Sequence, residues 1–443
     1  MTKNFIENAM ALLDHRETVY KRFCARVLSF DGVIVTCSTV PCGVGSICSI
    51  VHNSGSSVTG EVVRVSDDRI SIIPHDTTFP ILVGQKVFLK DETQNISVGP
   101  ELLGRAFDGM GNPIDEGPLL NLTARYNLSG KKLNPLERQP ITAVFDVGVR
   151  NINSLMTIGK GQRLGIMAGS GVGKSVLLSM VAQKSSADVV VIALIGERGR
   201  EVASFTKEIF TSHSKDKAVV IAVPADHSPL LRIQGAKRAT AISEYFRDQG
   251  KDVLLIMDSL TRVAHAQREL GLALGEQPTA RGYPPSVISL LPNLIERTGN
   301  SKASSGTITS IYTVLADGDD VTSDPVVDTA RAILDGHIVL ERTLAQQGVY
   351  PAIDVTKSIS RIMNDICDEN HIKNSKILRM LISKYQDNYD LLMMGGYVAG
   401  QDQDLDLAIR AWPSIVNFLM QSQKETSNFV DSREALNRLV ASL

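Results

Sequence analysis

The stretch that decides the fold is RLGIMAGSGVGKS, residues 163–175. Its first part is apolar and strand-sized, and AGSGVGKS at 168–175 is a glycine-rich turn leading into a helical pattern. Such a turn lets backbone N–H groups curl around phosphate, and the helix N-terminus adds partial positive charge. The candidate nucleotide contacts are therefore Gly169, Ser170, Gly171, Val172, Gly173, Lys174, Ser175 and Val176. Lys174 has the reach for β- and γ-phosphates, and Ser175 has a hydroxyl for magnesium. The usual pattern opens with glycine, whereas this chain has Ala168 there. A plain glycine-rich turn is the alternative, and the strand–loop–helix context argues against it.

Two further segments point to the same chemistry. VLLIMD, at 253–258, is an apolar strand ending in Asp258, and a carboxylate at that end can hold magnesium through water. GERGRE, at 196–201, follows the apolar run DVVVIALI and so falls at the same sheet edge. Glu197 is a candidate to polarise an attacking water and Arg198 a candidate phosphate contact. A solvated charged turn is the other reading, and spacing alone leaves both open.

Outward from these motifs the chain alternates. RLGIMA, DVVVIALI, KAVVIAV, DVLLIMD and GTITSIYTVL are strand candidates, with amphipathic helices between them. The clearest helix is 232–249, where Ile233, Ala236, Ala239, Ile242 and Phe246 share a face and Gly250 supplies a stop. This alternation predicts an α/β core with a parallel sheet covered on both faces. Residues 23–95 read instead as a small β-barrel, with a hairpin from strands 27–30 and 33–36 about Asp31-Gly32. GEVVRVS, RISIIP and QKVFLKD supply further strands. Residues 366–443 read as helical, including 372–392 and a last helix opened by Asp431 with Glu434 three residues on. Residues 1–22 carry an amphipathic stripe, Ile6, Met10, Leu13 and Tyr20. The expected division is thus 1–22, 23–95, 96–365 and 366–443.

Composition bounds the function. The 443 residues suggest about three domains at a prior of ~150 residues each. With 43% hydrophobic and 21% charged residues and a formal charge of −2, disorder is excluded and a nucleic-acid coat disfavoured. No apolar run nears the ~20 residues of a membrane span, and no secretory signal is evident, so a soluble intracellular protein is expected. Cys24, Cys37, Cys42, Cys48 and Cys367 form no CxxC pair, and the eight histidines are scattered. No metal beyond a nucleotide-bound ion is implied.

The chain resembles the type III protein-export ATPases, the flagellar export ATPase and its injectisome relatives, which are kin to rotary ATP synthase α and β subunits. The segments that carry the resemblance include GRAFDGMGNPID (104–115), IALIGERGREV, AQRELGLALGEQPTARGYPPSV, ARAILDGHIVL and PAIDVTKSIS (351–360). It implies a RecA-like core, preceded by the barrel and followed by helices, that hydrolyses ATP with Mg2+. It makes Glu197 the general base, with Glu201 a second carboxylate near the metal's water shell. Arg198 and Arg262 match phosphate-contacting arginines. Arg361 matches an arginine finger that enters a neighbour's site, and Tyr350 the aromatic residue that stacks on adenine. A homohexamer is implied, with a peripheral regulator, a central coiled-coil stalk protein, export chaperone–substrate complexes and a membrane export gate as partners. The implied location is the cytoplasm, at the inner face of the bacterial inner membrane. The N-terminal stripe is a candidate contact for the regulator.

GERGREV in place of GERTREGN, and the lack of a long helical insert near the C-terminus, favour an export ATPase over a synthase catalytic subunit. AGSGVGKSVLL favours the flagellar branch over an injectisome ATPase. A ring-shaped nucleic-acid translocase would need aromatic platforms in its barrel. Residues 24–95 hold neither Trp nor Tyr, and Phe23, Phe30, Phe79 and Phe88 are the only aromatic rings of that size in or beside it.

Overall fold

The computed structural model describes residues 24–443 except 53, 77, 92–94, 131–133, 213, 303–304 and 316–323. The N-terminal stripe expected over 1–22 lies outside these residues. The chain divides into two compact units at residues 94 and 95.

In the first unit, among the described residues, six strands close a barrel. Cys24–Phe30 pairs with Val35–Ser38, then come Arg69–Pro74, Ser57–Val65, Ile47–Val51 and Lys86–Asp91, which returns to the first strand. Alternate residues point inward, so Ala25, Val27, Val35, Cys37, Ile70 and Ile72 are buried together. The expected hairpin is corrected at its turn, because the second strand starts at Val35 rather than 33. Asp31 Oδ1 accepts from the N–H groups of Val33 (2.9 Å) and Ile34 (2.7 Å), which keeps both out of the ladder. Ile47–Val51 was not anticipated, since ICSIV mixes polar and apolar residues within a strand paired on both sides.

In the second unit eight described strands form the central sheet. Their order is Ile353–Ser360, Gly336–Leu340, Arg163–Ala168, Thr307–Leu315, Asp252–Asp258, Val189–Ile195, Ala218–Val223 and Arg105–Phe107. The pairs are parallel except at the edge, where Ile353–Ser360 runs antiparallel to Gly336–Leu340. Both faces are covered, which is why Val189–Ile195 and Ala218–Val223 are buried at every position. Val190, Ile192 and Leu194 face one core, with Leu177 and Val181 of helix Lys174–Lys184. Val189, Val191 and Ala193 face the other, with Ala236 and Ile242 of helix Pro229–Asp248 and Val263 of helix Leu260–Ala273.

Helix Pro229–Asp248 begins three residues earlier than its apolar face suggests, because Ser228 caps it and proline suits a first turn. Gly250, at φ +79°, follows its end. The expected helix over 372–392 is corrected to two, Glu369–Asp387 and Tyr389–Met393, separated at Asn388. The last helix, Phe429–Ala441, is capped by Asn428, whose side chain accepts from the Asp431 N–H at 2.9 Å. Asp431 therefore sits in its first turn rather than at its cap. Leu378, Leu381 and Leu436 of these helices, with Ile415 and Phe418 of helix Gln403–Leu419, join the C-terminal end to the core under one sheet face. Among the described residues no helix is long and apolar enough to cross a membrane.

Candidate active site

The strand Arg163–Ala168 lies inside the sheet, and the glycine-rich loop leaves its C-terminal end for helix Lys174–Lys184. Gly173 occupies the helix cap at φ +89°, a backbone region that side-chain-bearing residues rarely adopt. A Cβ there would also lie 3.4 Å from the Tyr350 ring, so Tyr350 lies along the loop, 45% exposed. Val172 turns into the core, while Ser170, Ser175 and Val176 remain exposed.

Three strand ends converge on Lys174. Its Nζ lies 2.5 Å from Asp258 Oδ1, at the end of Asp252–Asp258, and 3.2 Å from Glu197 Oε1, just beyond Val189–Ile195. All three side chains are largely buried. Burial disfavours charge on Lys174, but the two carboxylates outweigh it and raise its pKa above the ordinary lysine value. Burial raises the pKa of Glu197, the charge of Asp258 adds to this, and Lys174 opposes it. Thr313 Oγ1 donates to the same Asp258 oxygen at 2.6 Å. Motif reading missed Thr313, which is one of four Thr or Ser residues in the run GTITSIYTVL and is not singled out by its spacing.

Arg262 follows Asp258 in helix Leu260–Ala273, and its Nε is buried without a hydrogen-bond partner among the described residues. Gly196, at φ +73°, makes room for it, since a Cβ there would stand 2.8 Å from the Arg262 Cβ. A buried guanidinium nitrogen beside Gly196 and Glu197 is a donor suited to an anion.

The other named residues lie apart from this cluster. Arg198 is 85% exposed by its side chain and faces Glu201, 54% exposed, at 3.9 Å. Neither is brought onto Lys174 or Asp258. Arg361 follows the antiparallel edge strand, whose register pairs Ser360 with Gly336 and Ile353 with Leu340. Since Leu340 is level with Ala168, Tyr350 is carried to the loop end and Arg361 to the opposite end, level with Arg163. At ~3.3 Å per residue that is roughly 17 Å along the strands from the loop. There Arg361 Nη2 donates to the Arg331 carbonyl at 3.3 Å.

Fold and site together define a P-loop ATPase of the ATP synthase α/β type. The family model for the ATP synthase alpha/beta family, nucleotide-binding domain, matches residues 148–360, and that for the T3SS EscN ATPase C-terminal domain matches 367–438. The flagellum-specific ATP synthase of Salmonella typhimurium is 47% identical over 93% of this chain and 92% of its own. That of Pseudomonas aeruginosa is 45% identical over 94% of this chain and 93% of its own. The assembled ATPase EscN of the enteropathogenic E. coli type III secretion system superposes with a TM-score of 0.88 at 40% identity, covering 94% of this chain and all of that one. EscN in complex with its central stalk EscO gives 0.87, at the same identity and coverage. The chain belongs to the flagellum-specific ATP synthase family.

Proposed function

We propose that this chain is the ATP-hydrolysing motor of a type III protein-export apparatus of the flagellar branch, working as a closed homohexamer. The observation that carries this reading is the Lys174–Glu197–Asp258 cluster against the phosphate loop, with Arg361 at the far end of the same sheet. The loop N–H groups of Gly169, Ser170, Gly171, Val172 and Gly173 hold phosphate, with Val176 in the following turn. Lys174 leaves its carboxylates to reach the β- and γ-phosphates, and Arg262 and Arg198 contribute further phosphate contacts. Tyr350 stacks on adenine.

The donor set suits a divalent cation, because two largely buried carboxylates share a single ammonium. Ser175 and Asp258 would hold Mg2+, with Glu201, which stands apart from them, reaching at most its water shell; the ion would neutralise charge on the β- and γ-oxygens. Glu197, its pKa raised by burial, accepts a proton from the attacking water. Arg361 acts on the neighbouring protomer's γ-phosphate, which needs a head-to-tail ring interface. One polypeptide then supplies both halves of every site. EscN's assembled form and its complex with its central stalk EscO support an assembly with a central stalk here as well, which in this reading is a coiled-coil protein.

The further partners in this reading are a peripheral regulator, export chaperone–substrate complexes and an export gate, with the ring held at the cytoplasmic face of the inner membrane. The working division is residues 1–22 for the regulator, 23–95 the barrel, 96–365 the ATPase core and 366–443 the helical end. The test is replacement of the native gene by Glu197→Gln. Loss of flagellar filament secretion, with any injectisome secretion intact, is expected; normal filament export with ATP hydrolysis abolished would overturn the motor assignment. Deleting residues 2–20 is expected to abolish regulator binding, and unchanged affinity would remove the N-terminal contact.

A further inference from the structure

We infer that Thr313 is a positioning residue for the metal-holding carboxylate, an inference that rests on the reading of Asp258 given above. Thr307–Leu315 is the strand between the phosphate-loop strand and the Asp258 strand. Its register sets Ile166 opposite Thr313 and Met257 opposite Tyr312, so Thr313 stands level with Asp258 at the ligand end of the sheet. The side chain is fully buried, and its hydroxyl donates to Asp258 Oδ1 at 2.6 Å.

That oxygen accepts two donors of different kinds. Lys174 Nζ, at 2.5 Å, sits on a flexible four-carbon stem and is the group that must turn to phosphate. Thr313 is β-branched and lies in a central strand, so its χ1 is restricted and its hydroxyl cannot follow. Once Lys174 departs, Thr313 is the side-chain donor left on this carboxylate among the described residues. The strand is tied down beside it, because the Leu315 N–H donates to Thr261 Oγ1 at 2.9 Å. Thr261 belongs to the helix that starts directly after Asp258. Thr313 therefore holds Asp258 Oδ1 in one orientation through the exchange of Lys174 for a cation. Hydrogen-bonding partners behind a metal ligand commonly set about 10–100-fold in metal affinity.

The experiment uses the full chain with Thr313→Val, Thr313→Ser and Asp258→Asn. Mg2+ is titrated at saturating ATP, and a fluorescent ADP analogue is bound with EDTA and with Mg2+. Thr313→Val is expected to raise the Mg2+ concentration for half-maximal hydrolysis about tenfold. It is expected to shrink the Mg2+-dependent gain in ADP affinity by a similar factor and to leave affinity in EDTA within about twofold of the parent chain. Thr313→Ser, which restores the donor, is expected to bring both metal readouts back toward the parent. A parental Mg2+ response in Thr313→Val, or equal impairment in the Val and Ser chains, would overturn the inference. If the Val chain misfolds, Thr313→Cys, with a weak donor of similar size, is expected to shift the same readouts in the same direction, and a parental response there overturns it equally. A parental Mg2+ response in Asp258→Asn would sink the Asp258 reading itself. A shifted Asp258→Asn beside a parental Thr313→Val would sink only the role of Thr313.

Discussion

The two ends of the central sheet carry charge in different ways. At the end where the parallel strands begin, cations and carboxylates are matched: Lys160 with Asp252, Arg163 with Asp335 and Glu296, and Arg138 with Glu296. At the end where they finish, among the described residues, one ammonium, Lys174, bonds two largely buried carboxylates, Glu197 and Asp258. Balanced pairs serve the folded chain as it stands. An unbalanced cluster, whose cation must satisfy two buried carboxylates, is what the proposed nucleotide and its metal would complete. Arg361 departs from the pattern at the first end, since its side chain meets the Arg331 carbonyl rather than a carboxylate. In the proposed ring that cation is the one offered to a second protomer.

The largest effect is expected where the imbalance is greatest. Lys174→Ala removes the ammonium that bonds both carboxylates, and ATP hydrolysis should fall below detection with nucleotide binding strongly weakened. Retained turnover would break the contrast between the ends outright. Arg361→Ala is expected to keep ATP binding and to lose about 10³-fold or more in turnover. Mixing Lys174→Ala and Arg361→Ala chains should restore part of the activity, because some interfaces then pair an intact loop with an intact finger. No recovery on mixing, with mixed rings confirmed by mass, would place Arg361's action within one chain. Glu197→Gln should bind ATP normally and hydrolyse it about 10²–10⁴-fold more slowly. Turnover within tenfold of the parent would remove Glu197 as the base.

Much of the ligand end was readable in sequence, and the reason is local. Strand, loop and helix are contiguous around AGSGVGKS, and VLLIMD and GERGRE each end or follow an apolar run, so Lys174, Asp258 and Glu197 stand out by position. The buried strands announced themselves as continuous apolar runs because both sheet faces are covered. What could not be read is set by register between distant segments. Thr313 meets Asp258 because two strands align, which no spacing in either reveals. The end of the sheet that Arg361 reaches depends on Ile353–Ser360 running antiparallel, whereas PAIDVTKSIS was noticed as a signature and not as a strand. Turn details failed for a different reason: Asp31 and Asn428 compete with neighbouring backbone groups for hydrogen bonds, and single residues decide the outcome.

The smallest effect belongs to the end where the strands begin. Asp252 starts the strand that Asp258 finishes, pairs with Lys160 and accepts from Thr307 Oγ1 at 2.9 Å. Asp252→Asn keeps the shape and much of the hydrogen bonding but removes the charge opposite Lys160. The expected cost is about 1–2 kcal/mol, the range for a hydrogen bond to a charged group that is partly exposed. In a unit of this size, with an unfolding entropy of about 2.1 cal/mol/K per residue, that lowers Tm by about 1–2 °C per kcal/mol. Turnover per folded chain and Mg2+ dependence should stay within about twofold of the parent, since the strand is held along its length by ladders on both sides. Calorimetry and steady-state ATPase assays on the same preparation separate the two. A tenfold loss of turnover with Tm unchanged would show that charge at this end reaches the site through the strand, and the division between a balanced end and a reactive one would fail.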